Sequence, residues 1–177
     1  MAVRSLAPVE LPGRSALRQQ CFDEHVPWHR IKNVVDITDD GGRLLAEVLE
    51  DFGALTALII DLTGAPRGVR KALAGAGDRV EVRPGDVLAD LPVGADYYLL
   101  PEGLDELDDG RLGRLMQSVA RACLPTGRAI ACVPIAAAAR VVKAAERSGL
   151  EVTRQGNEDA ASLIEFGSGP LRVLPSE

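Results

Sequence analysis

Aromatic side chains are scarce. Phe22, Phe52, Phe166, Tyr97, Tyr98 and Trp28 are the whole complement in 177 residues. Hydrophobic residues still reach 46%, so the core must be built from Leu, Val, Ile and Ala. Such a core suits helices packed on a parallel sheet better than an all-β sandwich. A cationic excess is also missing: 20 Lys and Arg face 26 Asp and Glu, a net charge of −6. Phosphate tracking needs clustered cations, so nucleic acid is not an expected partner. Cysteine is limited to Cys21, Cys123 and Cys132, odd in number, scattered and without C-x-x-C. A disulfide framework is therefore not expected, and a reducing, cytoplasmic location is. No apolar run approaches the ~20 residues of a membrane span. The opening MAVRSLAPVELPGRSALRQQ has no continuous apolar h-region, so neither a signal peptide nor a membrane partner is expected.

What is present is an alternation of short apolar runs and helical patterns. Residues 1–13, with Pro8 and Pro12, read as an arm, and 14–24 as a short helix stopped before Pro27. Residues 1–31 thus form an N-terminal arm and 32–177 the main domain. Strands are expected at Asn33–Ile37, Thr56–Leu62, Arg79–Arg83, Asp96–Leu100, Arg128–Val133, Glu151–Arg154 and Ser162–Phe166. Helices are expected between them at Gly42–Asp51, Pro66–Ala74, Asp108–Cys123 and Ala136–Ser148. In the third of these, Leu112, Leu115, Met116, Val119, Ala120 and Cys123 form one apolar stripe at i, i+3, i+4, i+7, i+8 and i+11. Asp108 and Asp109 stand where an N-cap and a negative first turn belong. The last two strands are joined by 155–161, too short for a crossover, and read as an antiparallel hairpin. The expected fold is α/β: a Rossmann-like, doubly wound, mostly parallel seven-stranded sheet with helices on both faces and an antiparallel last strand.

In such a sheet ligands bind outside the C-terminal strand ends. There the chain reads Val34-Val35-Asp36-Ile37-Thr38-Asp39-Asp40-Gly41-Gly42, then Ile60-Asp61-Leu62, then Gly85-Asp86-Val87, then Pro101-Glu102-Gly103-Leu104-Asp105-Glu106-Leu107-Asp108-Asp109. With "PTGRAIACV" and the terminal "SLIEF", this order resembles class I S-adenosylmethionine-dependent methyltransferases. It is most similar to the C-terminal catalytic domain of small-molecule O-methyltransferases, over roughly Lys32 to Phe166. The resemblance implies that S-adenosylmethionine is the cofactor. It places Asp36, Gly41 and Gly42 at the cofactor loop, Asp61 on the ribose hydroxyls, and Asp86 with Val87 on the adenine edge. A carboxylate at a strand end can accept two hydroxyl protons. Asp61 and Asp86 equally fit the role of residues that start a turn.

The resemblance breaks at three places. The family's D-x-G-x-G-x-G loop has its glycines at positions 38, 40 and 42, and here these are Thr38, Asp40 and Gly42. A β-branched Thr resists φ > 0, and Asp39 and Asp40 bring negative charge where the cofactor's carboxylate would lie. A one-residue shift would put Gly41-Gly42 into the turn, yet weak or absent S-adenosylmethionine binding is expected. The family's catalytic His falls at Asp105, followed by Glu106, Leu107 and Asp108. Asp105 could act as a base only if burial raised its pKa by several units, whereas an acidic helix start explains the same residues. Finally, about thirty residues precede the first strand, and Val133-Pro134 leads almost directly into the last helix. The family's dimerising, acceptor-closing segments are therefore expected to be missing.

Cys21, His25 and His29 are spaced C-x3-H-x3-H, a zinc-like pattern on a helix, but Pro27 interrupts it and no metal is expected. No G-x-S-x-G elbow or phosphate loop is found. The expected role is a non-catalytic methyltransferase-fold partner, scaffold or ligand-binding subunit. The alternative is an active methyltransferase with a divergent loop, completed by a partner chain; a third is a domain for another nucleotide or small molecule. A protein partner or homo-oligomer would use Cys21–Trp28 or the edge of the last strands.

Overall fold

The computed structural model describes residues 14–38, 42–62, 64, 66–86, 88, 91–158 and 160–169. Its seven strands are β1 (Asn33–Thr38), β2 (Thr56–Asp61), β3 (Val80–Pro84), β4 (Tyr97–Leu99), β5 (Arg128–Pro134), β6 (Leu150–Glu158) and β7 (Ala161–Ser168). The helices are α1 (Arg14–His25), α2 (Arg43–Asp51), α3 (Pro66–Ala72), α4 (Asp109–Ala122) and α5 (Ile135–Arg147). The strands form one sheet in the order β3-β2-β1-β4-β5-β7-β6. β7 runs antiparallel to both its neighbours, and the β3 to β5 pairings are all parallel. The doubly wound sheet read from the sequence is the observed one.

Period-two alternation divides β1 between two cores. Val35 and Ile37 join the face covered by α4 and α5, with Leu115, Met116, Val141 and Phe166. Val34 joins the face covered by α1, α2 and α3, with Phe22, Trp28, Leu45 and Val69. α4 buries its expected stripe, and Asp108 caps it by accepting a hydrogen bond from the Arg111 N–H at 2.8 Å. Tyr98 is wholly buried; its hydroxyl accepts from the Ala95 N–H at 3.1 Å and lies 2.7 Å from the Pro92 carbonyl. That burial pushes the phenol pKa up.

Two boundaries differ from expectation. α3 stops at Ala72, and Ala74–Arg79 forms a 3₁₀ segment kinked at Gly77. Arg79 is there a cap rather than a strand residue. Its guanidinium donates to the carbonyls of Leu49, Phe52 and Leu55 at 2.9–3.3 Å, neutralising the end of α2. β6 is nine residues long and pairs Gly156, Asn157 and Glu158 with Leu163, Ser162 and Ala161. Gln155–Glu158 therefore extend the strand where a loop was expected, because an edge strand open to water needs no apolar alternation. A register shift between Val152 and Arg154 interrupts the pairing. Among the described residues no helix is long and apolar enough to cross a membrane.

Candidate functional site

Strand order reverses between β1 and β4, which is where doubly wound sheets place their ligand crevice. Asp36 lies two residues before the end of β1, on the α1 face, and is 0% exposed. A carboxylate in an apolar strand must find a partner. It finds Arg18 of α1, whose Nη2 donates to Asp36 Oδ1 at 2.9 Å; the arginine is itself 2% exposed. Arg18 Nε also donates to the Leu100 carbonyl at 3.2 Å, and the guanidinium lies 4.7 Å from the Phe22 ring centre. One buried cation thus ties β1 to the residue following β4, beneath the crevice.

On the β2–β3 side, register places Asp61 beside both Thr38 and Pro84. The Gly85 N–H donates to the Asp61 carbonyl at 3.1 Å. A Cβ at Gly85 would fall 2.2 Å from Ile60 Cγ2, so only glycine lets β3 turn this close to β2. The Asp61 side chain is buried at 1% exposure. Asp86 is exposed, and its Oδ1 accepts from the Leu88 N–H at 2.8 Å, a side-chain-stabilised turn. The structure therefore brings Asp61 and the Asp86 turn to adjacent strand ends.

Gly42 is buried at φ +81° immediately before α2. A Cβ there would meet Val69 and Leu73 at 3.1 Å. Packing between α2 and α3, together with the left-handed backbone, explains this glycine without a ligand. Asp39, Asp40, Gly41 and Val87 lie outside the described residues.

After β4, Pro101 and Leu104 are buried, Gly103 turns at φ +73°, and the Glu106 N–H donates to the Gly103 carbonyl at 2.9 Å. Asp105 is half-buried and Glu106 exposed. Arg140 of α5 holds this stretch from behind. Its Nε donates to Asp109 Oδ1 at 2.8 Å, its Nη1 to the Asp105 carbonyl at 3.3 Å, and its Nη2 to the Leu107 carbonyl. The Arg111 N–H bonded to Asp108 keeps that carboxyl below the usual carboxylate range, as befits an N-cap.

The C-x3-H-x3-H residues do not converge. Cys21 Sγ lies 3.5 Å from Cys132 Sγ, His25 Nδ1 is 2.9 Å from the Cys21 carbonyl, and His29 Nε2 accepts from Arg30 Nε at 3.1 Å. Among the described residues no group of three or more His, Cys, Asp or Glu could hold a metal.

Sequence reasoning missed Arg18 and Arg140. Arg18 did carry a signal: it stands one turn before Phe22, on the face of α1 that also presents Cys21. A cation on an apolar face, with a lone Asp in an apolar strand 18 residues on, asks for pairing.

A family profile described as "O-methyltransferase domain" matches residues 10–161. The chain belongs to the O-methyltransferase family. The matched stretch extends through α1, so the helix carrying Arg18 lies within the family's domain. The family member is 35% identical over 96 residues to the mitomycin biosynthesis 6-O-methyltransferase of Streptomyces lavendulae, covering 53% of this chain and 28% of that one. It is 32% identical over 103 residues to the aclacinomycin 10-hydroxylase RdmB of Streptomyces purpurascens, covering 57% and 28%. Among solved structures it resembles mitomycin 7-O-methyltransferase MmcR (TM-score 0.77, 23% identity, 88% of this chain and 54% of that chain). It also resembles NcsB1 of neocarzinostatin biosynthesis, solved with S-adenosylmethionine and 2-hydroxy-5-methyl naphthoic acid (TM-score 0.72, 21% identity, 86% and 56%). This O-methyltransferase-family chain thus spans about half the length of the solved chains it matches.

Proposed function

We propose that this family member is a subunit without methyl transfer of its own: a partner, scaffold or ligand-binding chain that binds S-adenosylmethionine weakly or not at all. The observation that carries the reading is the arrangement of residues 101–109. The family's base position is Asp105, and its surroundings serve to anchor a helix: Asp108 caps α4, while Arg140 binds Asp109 and the carbonyls of Asp105 and Leu107. A general base must instead reach a substrate hydroxyl at a pKa near the working pH. The cofactor fits in part. The Asp61–Gly85–Asp86 edge has the chemistry to hold a nucleoside, since carboxylates accept ribose hydroxyl protons. Asp61, however, is buried, and a ribose-holding carboxylate must present its oxygens. On the methionine side, Thr38 and Asp40 replace glycines, and Gly42 is used in packing against α3. A relative 32% identical over 103 residues is named a hydroxylase, which supports a role for this chain other than methyl transfer.

The pairing of Asp61 with the Asp86 turn at adjacent strand ends favours one second reading: an active methyltransferase with a divergent loop whose site is completed by a partner chain. Calorimetric titration with S-adenosylmethionine and S-adenosylhomocysteine separates the two. No heat at millimolar ligand is expected; micromolar binding that disappears in Asp61→Ala would overturn the proposal in favour of the second reading.

A further inference from the structure

Cys21 and Cys132 are 111 positions apart in the chain, yet their sulfurs lie 3.5 Å from each other where α1 crosses β5. Neither is in a disulfide in this structure. Cys21 is 1% exposed, whereas Cys132 is half-buried. The Cys132 thiol thus meets the Cys21 sulfur across two different elements of the fold. The pair also sits beside the device under the crevice: Arg18 is one helical turn before Cys21 on α1. Whatever fixes α1 to β5 fixes the guanidinium against Asp36 and the Leu100 carbonyl.

We propose that Cys21 and Cys132 are an oxidation site that forms a disulfide and locks α1 onto the sheet. The oxidant is of the peroxide class. The Cys132 sulfur, the more accessible, attacks a peroxide oxygen as thiolate; the O–O bond breaks, one water leaves, and a sulfenic acid remains. Cys21 Sγ then attacks Cys132 Sγ, the S–S bond forms, the S–O bond breaks, and the departing hydroxide takes the Cys21 proton and leaves as a second water. Two thiols and one hydrogen peroxide give one disulfide and two waters, with two electrons passing from sulfur to oxygen. The sulfurs must close by about 1.5 Å to reach bonding distance, a movement within reach of side-chain rotation and a small shift of α1. Burial of Cys21 shields it from the peroxide and leaves it as the resolving thiol. Cys123 stays outside this chemistry: it packs in the core on the other face of the sheet, with Leu115, Met116 and Val119, whereas Cys21 and Cys132 belong to the α1 side.

The test uses the full chain treated with hydrogen peroxide and quenched with a thiol-blocking reagent. Expected are a loss of two of the three free thiols, a mass lower by about 2 Da for the two lost hydrogens, and one bridged peptide joining Cys21 to Cys132. The oxidised chain should melt about 10 °C higher, since a loop of this length is closed, and dithiothreitol should return it. Cys123→Ala should keep both the bridge and the shift, while Cys132→Ala should lose both. Oxygen addition to Cys132 without a bridge, a bridge through Cys123, or three intact thiols would each overturn the assignment. The mass readout on the unaltered chain needs no variant to fold, and none of these outcomes depends on whether the crevice binds a cofactor.

Discussion

Two arginines each fasten a segment at the C-terminal strand ends of the sheet, and they do it in opposite surroundings. Arg18 and Asp36 are at 2% and 0% exposure, whereas Arg140 is at 35% and its partner Asp109 at 91%. Under the α1 face the pair is sealed among apolar side chains, where an unmatched charge is very costly. Behind residues 101–109 the same chemistry is wet and screened. The contrast shows that the floor of the crevice is set by the fold, while its rim is held by contacts weak enough to rearrange.

The largest expected effect is on the floor. Arg18→Ala should destabilise the chain by about 3–5 kcal/mol in urea denaturation, because Asp36 is left buried and unmatched. Arg18→Met combined with Asp36→Leu should recover most of that loss; failure to recover would mean the pair does more than neutralise itself.

Next comes the α4–α5 face, probed by alkali. Cys123 is pushed from 9.0 to about 12 by burial, so the unfolded chain releases this proton well before the native one. Stability should be full below about pH 9 and fall as pH rises toward 12, by about 2 kcal/mol at roughly pH 10.5. Burial, with Glu165 accepting from its hydroxyl, also raises the Tyr97 pKa, in the same direction. Cys123→Ala should flatten part of this alkaline limb in a pH series of chemical denaturation.

A smaller loss, about 1–2 kcal/mol, is expected for Gly42→Ala, from the positive φ and the contacts with Val69 and Leu73. If that variant instead keeps its stability, the α2–α3 packing account of the glycine is wrong. Arg140→Ala should cost least, no more than about 1 kcal/mol and less in high salt. Amide exchange at residues 105–109 should quicken without any change elsewhere, and global destabilisation like that of Arg18→Ala would erase the contrast between floor and rim.

Element order, the doubly wound sheet and the antiparallel β7 were legible, because periodicity and strand-end residues are local signals, whereas the strand order and the adjacency of Asp61 and the Asp86 turn were not. The buried pair was not, since Arg18 reads as one more charge on a short helix until Asp36 is known to lie beneath it. Arg140 was hidden for a similar reason: its partners at 105–109 are more than thirty residues away. β6 was underestimated because Gln155–Glu158 are polar, and an edge strand does not advertise itself by alternation. The candidate base at Asp105 was locatable only by resemblance, and its tethering by Arg140 arises only in the folded chain.

β6 has a consequence for assembly. It ends the sheet with a nine-residue strand whose hydrogen-bond spacing is broken near Thr153, and its Arg154 turns back to the His25 carbonyl and Glu165. Such an edge is a poor template for a further strand, because an incoming chain would meet a stepped row of amides. Association on this side must then proceed through side chains, with a recognition pattern that a mutation can change one residue at a time.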